Sequence, residues 1–300
     1  VLLTVHYTAD PIGNSPEKIE MLQRRLGGRG SWKWRKEMEM DANAQSGESV
    51  FDPQWLDLQE RKHVRSPLKR MEVGGEGKLY EKSDGRIRIW IMPDQDPAGL
   101  PAGVESALMT FGVGMDVGAG TGQSDSSIEG FAVQGMEQAF EFNSNSVEPA
   151  QLGRIAVAIA RFYNDALICC VQKMHGLTAI RTMADECNYG HLWRNVQHDH
   201  FKETAQGGRI GWVHGENSQA LLMDNMGDAL QSADESAVDV LSSRGVIVHS
   251  QLLLEQLRQY VYDESGRPTL SKNKILNSAA RKQHGDCVVG AALGIRACMD

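Results

Sequence analysis

Asp116 closes an apolar run, Phe111-Gly-Val-Gly-Met-Asp116, and a glycine-rich turn, Gly118-Ala-Gly-Thr-Gly122, follows it. Three chemistries suit a carboxylate there. It can cap backbone N–H groups of the turn. It can hold a hard divalent cation, with the glycines letting a phosphodiester backbone come close. It can also open a phosphate loop of the D-x-G-x-x-T/S form. Asp286, in His284-Gly-Asp286, stands just before the last apolar stretch. There it either caps a helix N-terminus, where negative charge is favoured, or completes a metal site with Asp116. Asp125 lies beyond the same glycine turn and serves equally as a further ligand or a turn cap.

The other reactive side chains are weaker signals. His284 is two residues from Asp286, where it could position an attacking water or a ligand. Lys272, Lys274, Arg281 and Lys282 form the densest basic cluster of the second half. Such clusters are usually solvated, but beside a nuclease site they would hold phosphates without reading sequence. Asp185-Glu186 reads as a solvated helix face, and His175 and Trp212 as core or supporting residues.

The elements that must position these groups are legible from periodicity. Residues 111–116, 128–134 and 139–142 read as three strands of a meander, turning near Gly135. Residues 149–164 read as a helix, with Pro149 in its first turn and Leu152, Ile155, Ile159 and Phe162 at spacings of three and four. An apolar strand at 167–171 follows, then a helix over 177–187 and a strand at 209–213. Further helices are expected at 219–232, 251–261 and 286–298. Three strands, then alternating helices and strands, is an α/β order with a mixed sheet, and it is the order of the ribonuclease H-like fold. The first third is irregular, with one Lys/Arg-rich helix near 16–26, a short strand-like run at 87–92, and a turn-rich segment later at 262–268 that suits a hairpin lid. We divide the chain into an extension, 1–108, and a compact domain, 109–300.

Composition narrows the function classes. The 300 residues carry 31 Lys plus Arg against 39 Asp plus Glu, a net charge of -8, which excludes a free-standing basic nucleic-acid binder. The imbalance is uneven: 16 basic and 17 acidic residues fall in 1–110, against 15 and 22 in 111–300. The five cysteines are odd in number and contain no C-x-x-C, so neither a zinc knuckle nor a disulfide framework is supported. No apolar run is long enough to span a bilayer, and a reducing cytoplasm is the expected setting. The opening run, 1–7, lacks an initiator Met, as a piece of a longer chain would.

The order of several short stretches resembles the nuclease domain of the large terminase subunit of tailed bacteriophages. They are Gly112-Val-Gly-Met-Asp-Val-Gly-Ala-Gly-Thr-Gly-Gln-Ser-Asp125, Phe162-Tyr-Asn-Asp-Ala-Leu-Ile-Cys-Cys-Val171, Met174-His-Gly-Leu-Thr178, Tyr189-Gly-His-Leu-Trp-Arg194, Gly211-Trp212 and His284-Gly-Asp286. The resemblance covers 110–300 strongly. Before that, His6 to Pro11, Trp34 to Met38 and Ser46 to Phe51 look like the exit from the terminase ATPase domain. It implies a metal-dependent endonuclease that cuts concatemeric viral double-stranded DNA during packaging in the host cytoplasm, with two Mg²⁺ or Mn²⁺ ions and with portal protein and small terminase subunit as partners. Asp116 matches the first acid of the family and Asp286 the last. The middle acid falls at Gln172, whose amide offers a metal one neutral oxygen, so Gln172→Glu is expected to strengthen cleavage. The departure at Gln172 leaves open a packaging component that binds DNA and portal without cutting. An actin-like ATP-using kinase also stays open, although a second phosphate loop is missing. No G-x-x-x-x-G-K-[S/T] motor loop occurs either.

Overall fold

The computed structural model describes residues 15–26, 28–29, 31–40, 47–93, 109–195, 208–213, 215–231, 245–271 and 285–299. In chain order the elements are α1 (Pro16–Leu26), α2 (Trp32–Glu37), α3 (Pro53–Lys62), β1 (Lys69–Val73), β2 (Leu79–Glu81), β3 (Ile87–Ile89), β4 (Phe111–Asp116), β5 (Ser126–Ala132) and β6 (Glu137–Ser144). There follow α4 (Pro149–Phe162), β7 (Leu167–Cys170), α5 (His175–Arg181) running into a π-helical turn (Thr182–Glu186), β8 (Arg194–Asn195) and β9 (Arg209–Ile210). The chain ends with α6 (Glu216–Gln231), α7 (Gln251–Leu257), β10 (Tyr260–Tyr262), β11 (Pro268–Leu270) and α8 (Asp286–Met299).

One mixed sheet organises the molecule, with the strand order β2-β1-β3-β6-β5-β4-β7. The meander β4-β5-β6 is antiparallel, whereas β7 joins β4 in parallel, with Gly112 opposite Leu167 and Met115 opposite Cys170. Single parallel bridges, Ile168 with Leu192 and Val171 with Trp212, extend the edge beyond β7. This mixed sheet between helical layers is the architecture expected from the order of elements. Its central strands are buried on both faces, as all seven residues of β5 show. Leu152, Ile155 and Ile159 of α4 pack into one core, with Val113, Met115, Phe140 and Phe142. The opposite core holds α8, α6 and α7, and buries Phe131, Leu222, Met226, Leu253, Leu257, Val288 and Leu293.

The helix α8 is apolar almost all round, as a helix enclosed between a sheet and other helices must be. It lies against β4 at very short range because both partners present glycines there. A Cβ on Gly114 would fall 1.9 Å from the Gly290 carbonyl oxygen, and one on Gly112 would lie 2.7 Å from the Gly294 oxygen. This close seam fixes where the first turn of α8 meets the end of β4.

Two sequence expectations shift. Residues 69–89, placed in the extension, join the sheet: β3 pairs with β6, with Ile87 opposite Phe142, and β1 and β2 extend it. Arg88 reaches across that join to the fully buried carboxylate of Glu141 at 2.8 Å. The helix expected over 251–261 stops at Leu257, because Tyr260–Tyr262 pairs with Pro268–Leu270 and bonds back to residues 47–50. A tertiary strand pairing thus overrides a helical spacing of apolar residues. The 262–268 segment does form a hairpin turn, with Asp263 Oδ1 accepting from the Ser265 and Arg267 N–H groups at 2.7 and 2.9 Å. Its tip rests on Lys33 and the Leu26 carbonyl, which Gly266 alone is small enough to allow. It therefore leans on α1 and α2, and its base, Tyr260, faces the site described next.

Candidate metal centre

Strand β4 delivers Asp116 at its last residue, and α8 delivers Asp286 at its first. Both open into one cavity of about 360 Å³, lined also by Gly118, Ser124, Val171, Lys173, His175, Gln219 and Tyr260. Burial is the largest influence on Asp116 and the neighbouring Asp286 carboxylate the next. Together they push its pKa up to about 7, against the opposing pull of the Val117 N–H and the Lys173 ammonium. Two carboxylates that raise one another's cost of ionisation are the arrangement a bound cation would relieve.

Each carboxylate is held by its local structure. The Val117 N–H donates to Asp116 Oδ1 at 3.0 Å, and the Gly118 N–H donates to Ser126 Oγ at 3.0 Å, curling the glycine turn away from the strand. Gly120 takes φ +72°, and a Cβ there would strike the Val147 carbonyl oxygen at 2.5 Å, so this turn needs its glycine. On the other side, the buried Ser127 hydroxyl donates to the Asp286 carbonyl at 2.7 Å, pinning the first turn of α8 to β5. Gly285, at φ +72°, lies directly beneath the Tyr260 hydroxyl, which stands 3.4 Å from its carbonyl oxygen. Burial, and then the nearby Asp116 and Asp286 carboxylates, hold the Tyr260 phenol well above its usual range. It stays neutral, a wall and a potential donor.

The sequence-predicted residues separate. Asp116 and Asp286 line one cavity. Gln172 is not on the cavity wall: its N–H donates to the Trp212 carbonyl at 2.7 Å and its Cβ lies beneath Gly211. Val171, Lys173, Met174 and His175 line the cavity instead. Asp125 is also absent from the wall, where Ser124 stands. Glu186 pairs with Arg154 at 2.6 Å on an exposed helix surface, away from the site. His175 does line the cavity, whereas Trp212 packs on Trp193 in the core, with ring centroids 5.6 Å apart. His284, Lys272, Lys274, Arg281 and Lys282 lie outside the described residues.

Lys173, Tyr260, Ser127 and Gln219 are site residues that sequence reasoning missed. Only Lys173 had a usable signal, since it follows the strand expected to carry an acid. Among the described residues, no group of three His, Cys, Asp or Glu side chains converges. The two carboxylates that line the cavity are nonetheless the oxygen donors a hard divalent cation takes, with water filling its remaining positions.

No protein-family model matches the chain, and no curated protein is similar to it in sequence. Its fold is nonetheless similar to solved structures. The large terminase nuclease from thermophilic phage G20c with bound magnesium superposes with a TM-score of 0.52 at 14% identity, over 84% of this chain and 98% of that one. The same nuclease with bound cobalt matches to the same extent, TM-score 0.52 at 14% identity. The chain thus has the ribonuclease H-like fold of these nuclease domains.

Proposed function

We propose that the chain is a divalent-metal-dependent endonuclease that cuts concatemeric viral double-stranded DNA during genome packaging. The observation that carries this reading is the pairing of Asp116 and Asp286 in one cavity, at the strand end and helix start of a fold shared with phage terminase nucleases. A Mg²⁺ or Mn²⁺ ion between the two carboxylates would supply Lewis acidity to a phosphodiester oxygen and lower the pKa of a bound water. The chain's own residues do the rest. Asp116 and Asp286 hold the cation, Ser127 and Tyr260 keep Asp286 in place, and the glycine turn after Asp116 leaves room for a sugar–phosphate backbone. Among the described residues the wall carries no third acid beside Asp116 and Asp286, where Val171 and Lys173 stand.

Acting on concatemers places the protein in the host cytoplasm with portal protein and small terminase subunit as partners. The described helices include none long and apolar enough to cross a membrane. The test is supercoiled plasmid incubated with the protein in Mn²⁺. Wild type is expected to nick and linearise it, and Asp116→Ala to lose at least two orders of magnitude in rate, as removal of a metal-holding group should. Bound DNA with no nicking by wild type would favour the non-cutting packaging component, and nucleotide binding without DNA cleavage would favour the actin-like kinase.

A further inference from the structure

We infer that Lys173 is a phosphate-binding residue of this site, its ammonium receiving a non-bridging oxygen of the DNA phosphodiester beside a cation held by Asp116 and Asp286. The inference rests on the nuclease reading and adds the residue next to Gln172, the position where a third acid was expected.

Backbone register puts Lys173 there. The Val171 N–H donates to the Met115 carbonyl at 3.0 Å, carrying the β4–β7 ladder one residue past Cys170 and setting Val171 beside Asp116. Two residues on, Lys173 lines the cavity that holds both carboxylates. The chain then turns sharply. The Gly176 N–H donates to the Lys173 carbonyl at 2.8 Å, and a Cβ on Gly176 would fall 1.8 Å from the Val171 carbonyl oxygen. Met174, between them, is forced to φ +38° and ψ -99°, a region that non-glycine residues avoid at a cost of about 1–3 kcal/mol. The strain is local to the hydrogen-bonded corner that Lys173 opens.

The electrostatics agree. Lys173 is near enough to Asp116 to pull its carboxyl down against burial, yet among the described residues it closes no ion pair within 4.0 Å. The residue is exposed. A lysine that merely neutralised the aspartates would sit in contact with one of them. Lys173 shares the cavity with both carboxylates and, among the described residues, forms no such contact. During hydrolysis the water oxygen bonds to phosphorus as the P–O3′ bond breaks. The water gives its proton to solvent and the 3′ oxygen takes one. Negative charge grows on the non-bridging oxygens, where a fixed ammonium stabilises it without itself exchanging a proton.

The experiment uses the full chain with Lys173→Met, Lys173→Arg and, as a neighbour off the wall, Gln172→Ala. Binding of a fluorescein-labelled DNA duplex is followed by anisotropy in EDTA across a range of salt. Losing one phosphate contact should reduce the steepness of log K against log salt by about 0.9 in Lys173→Met. Lys173→Arg and Gln172→Ala should keep the wild-type slope. In Mn²⁺, Lys173→Met should nick plasmid about 10²-fold more slowly, with Lys173→Arg recovering much of the rate. By calorimetry, Lys173→Met should bind Mn²⁺ at least as tightly as wild type, since a positive charge has left the site. An unchanged slope and rate in Lys173→Met, beside a wild type that cuts, would overturn the inference and leave the nuclease standing. A wild type that neither binds nor cuts DNA would overturn both.

Discussion

The seam between β4 and α8 sets the spacing of the two aspartates, and Gly290→Ala probes it. Alanine in a helix interior is favoured over glycine by about 1 kcal/mol, so helix propensity alone predicts stabilisation. The packing predicts the reverse. A Cβ on Gly290 would lie 2.3 Å from Ser127 Oγ, while Glu129 Cγ at 3.3 Å and Ser127 Cβ at 3.5 Å leave little slack. The serine hydroxyl must rotate away from the Asp286 carbonyl it now reaches at 2.7 Å. A buried hydroxyl left without a partner costs about 1–3 kcal/mol. The net expectation is a loss of about 1 kcal/mol, together with a displaced Asp286 and weaker Mn²⁺ binding. In a Ser127→Ala background the clash is gone, and the same substitution should stabilise by about 1 kcal/mol. Urea denaturation of wild type, both single variants and the double variant therefore gives a coupling of about 2 kcal/mol with a change of sign. Calorimetric Mn²⁺ titration should show affinity lost in Gly290→Ala and still reduced in the double variant, which lacks the Ser127 hydroxyl that holds Asp286. Additivity within about 0.5 kcal/mol, or stabilisation in both backgrounds, would refute the claim that this contact limits the seam.

Two further predictions concern other parts of the molecule. Asp224 of α6 accepts from Gln23 Nε2 at 2.9 Å and the Arg29 N–H at 3.2 Å, yet burial still pushes its pKa up to about 6 from 3.8. Its proton is bound more tightly in the folded chain, so stability should fall as pH rises from about 4 to 6. Asp224→Asn should remove that loss, raising urea stability by up to about 3 kcal/mol at pH 8 and by little at pH 4; equal gains at both pH values would count against the assignment. Gln172→Glu, which the resemblance alone marks as strengthening the site, should leave Mn²⁺ affinity and cleavage unchanged, because the side chain is off the cavity wall. A tightening of Mn²⁺ binding in calorimetry would return Gln172 to the site.

Much of the fold was legible because local pattern and final burial agree. The run 111–116 became β4 with the expected bounds, and Pro149 with its 3-and-4 spaced apolar residues became α4. Where they disagree, the cause is long-range. Tyr260 fits a helical spacing with Leu253 and Leu257, but its strand pairing with Leu270 and its backbone bond to Val50 prevail. Likewise Ile87–Ile89 carries too few residues to announce a central neighbour for β6, and only the pairing with Phe140 and Phe142 reveals it.

The two aspartates themselves were determined by sequence: a carboxylate after a buried strand and one before a buried helix can be recognised without coordinates, because strand and helix each leave a periodic trace. Which residue stands between them was decided by tertiary structure. Alternation along an extended segment has a period of two, so an error of one residue moves a side chain to the opposite face. Nothing within 167–173 tells which face β4 will present to it. The parallel register against Met115, and the turn locked by Gly176, put Lys173 in the cavity and Gln172 behind it.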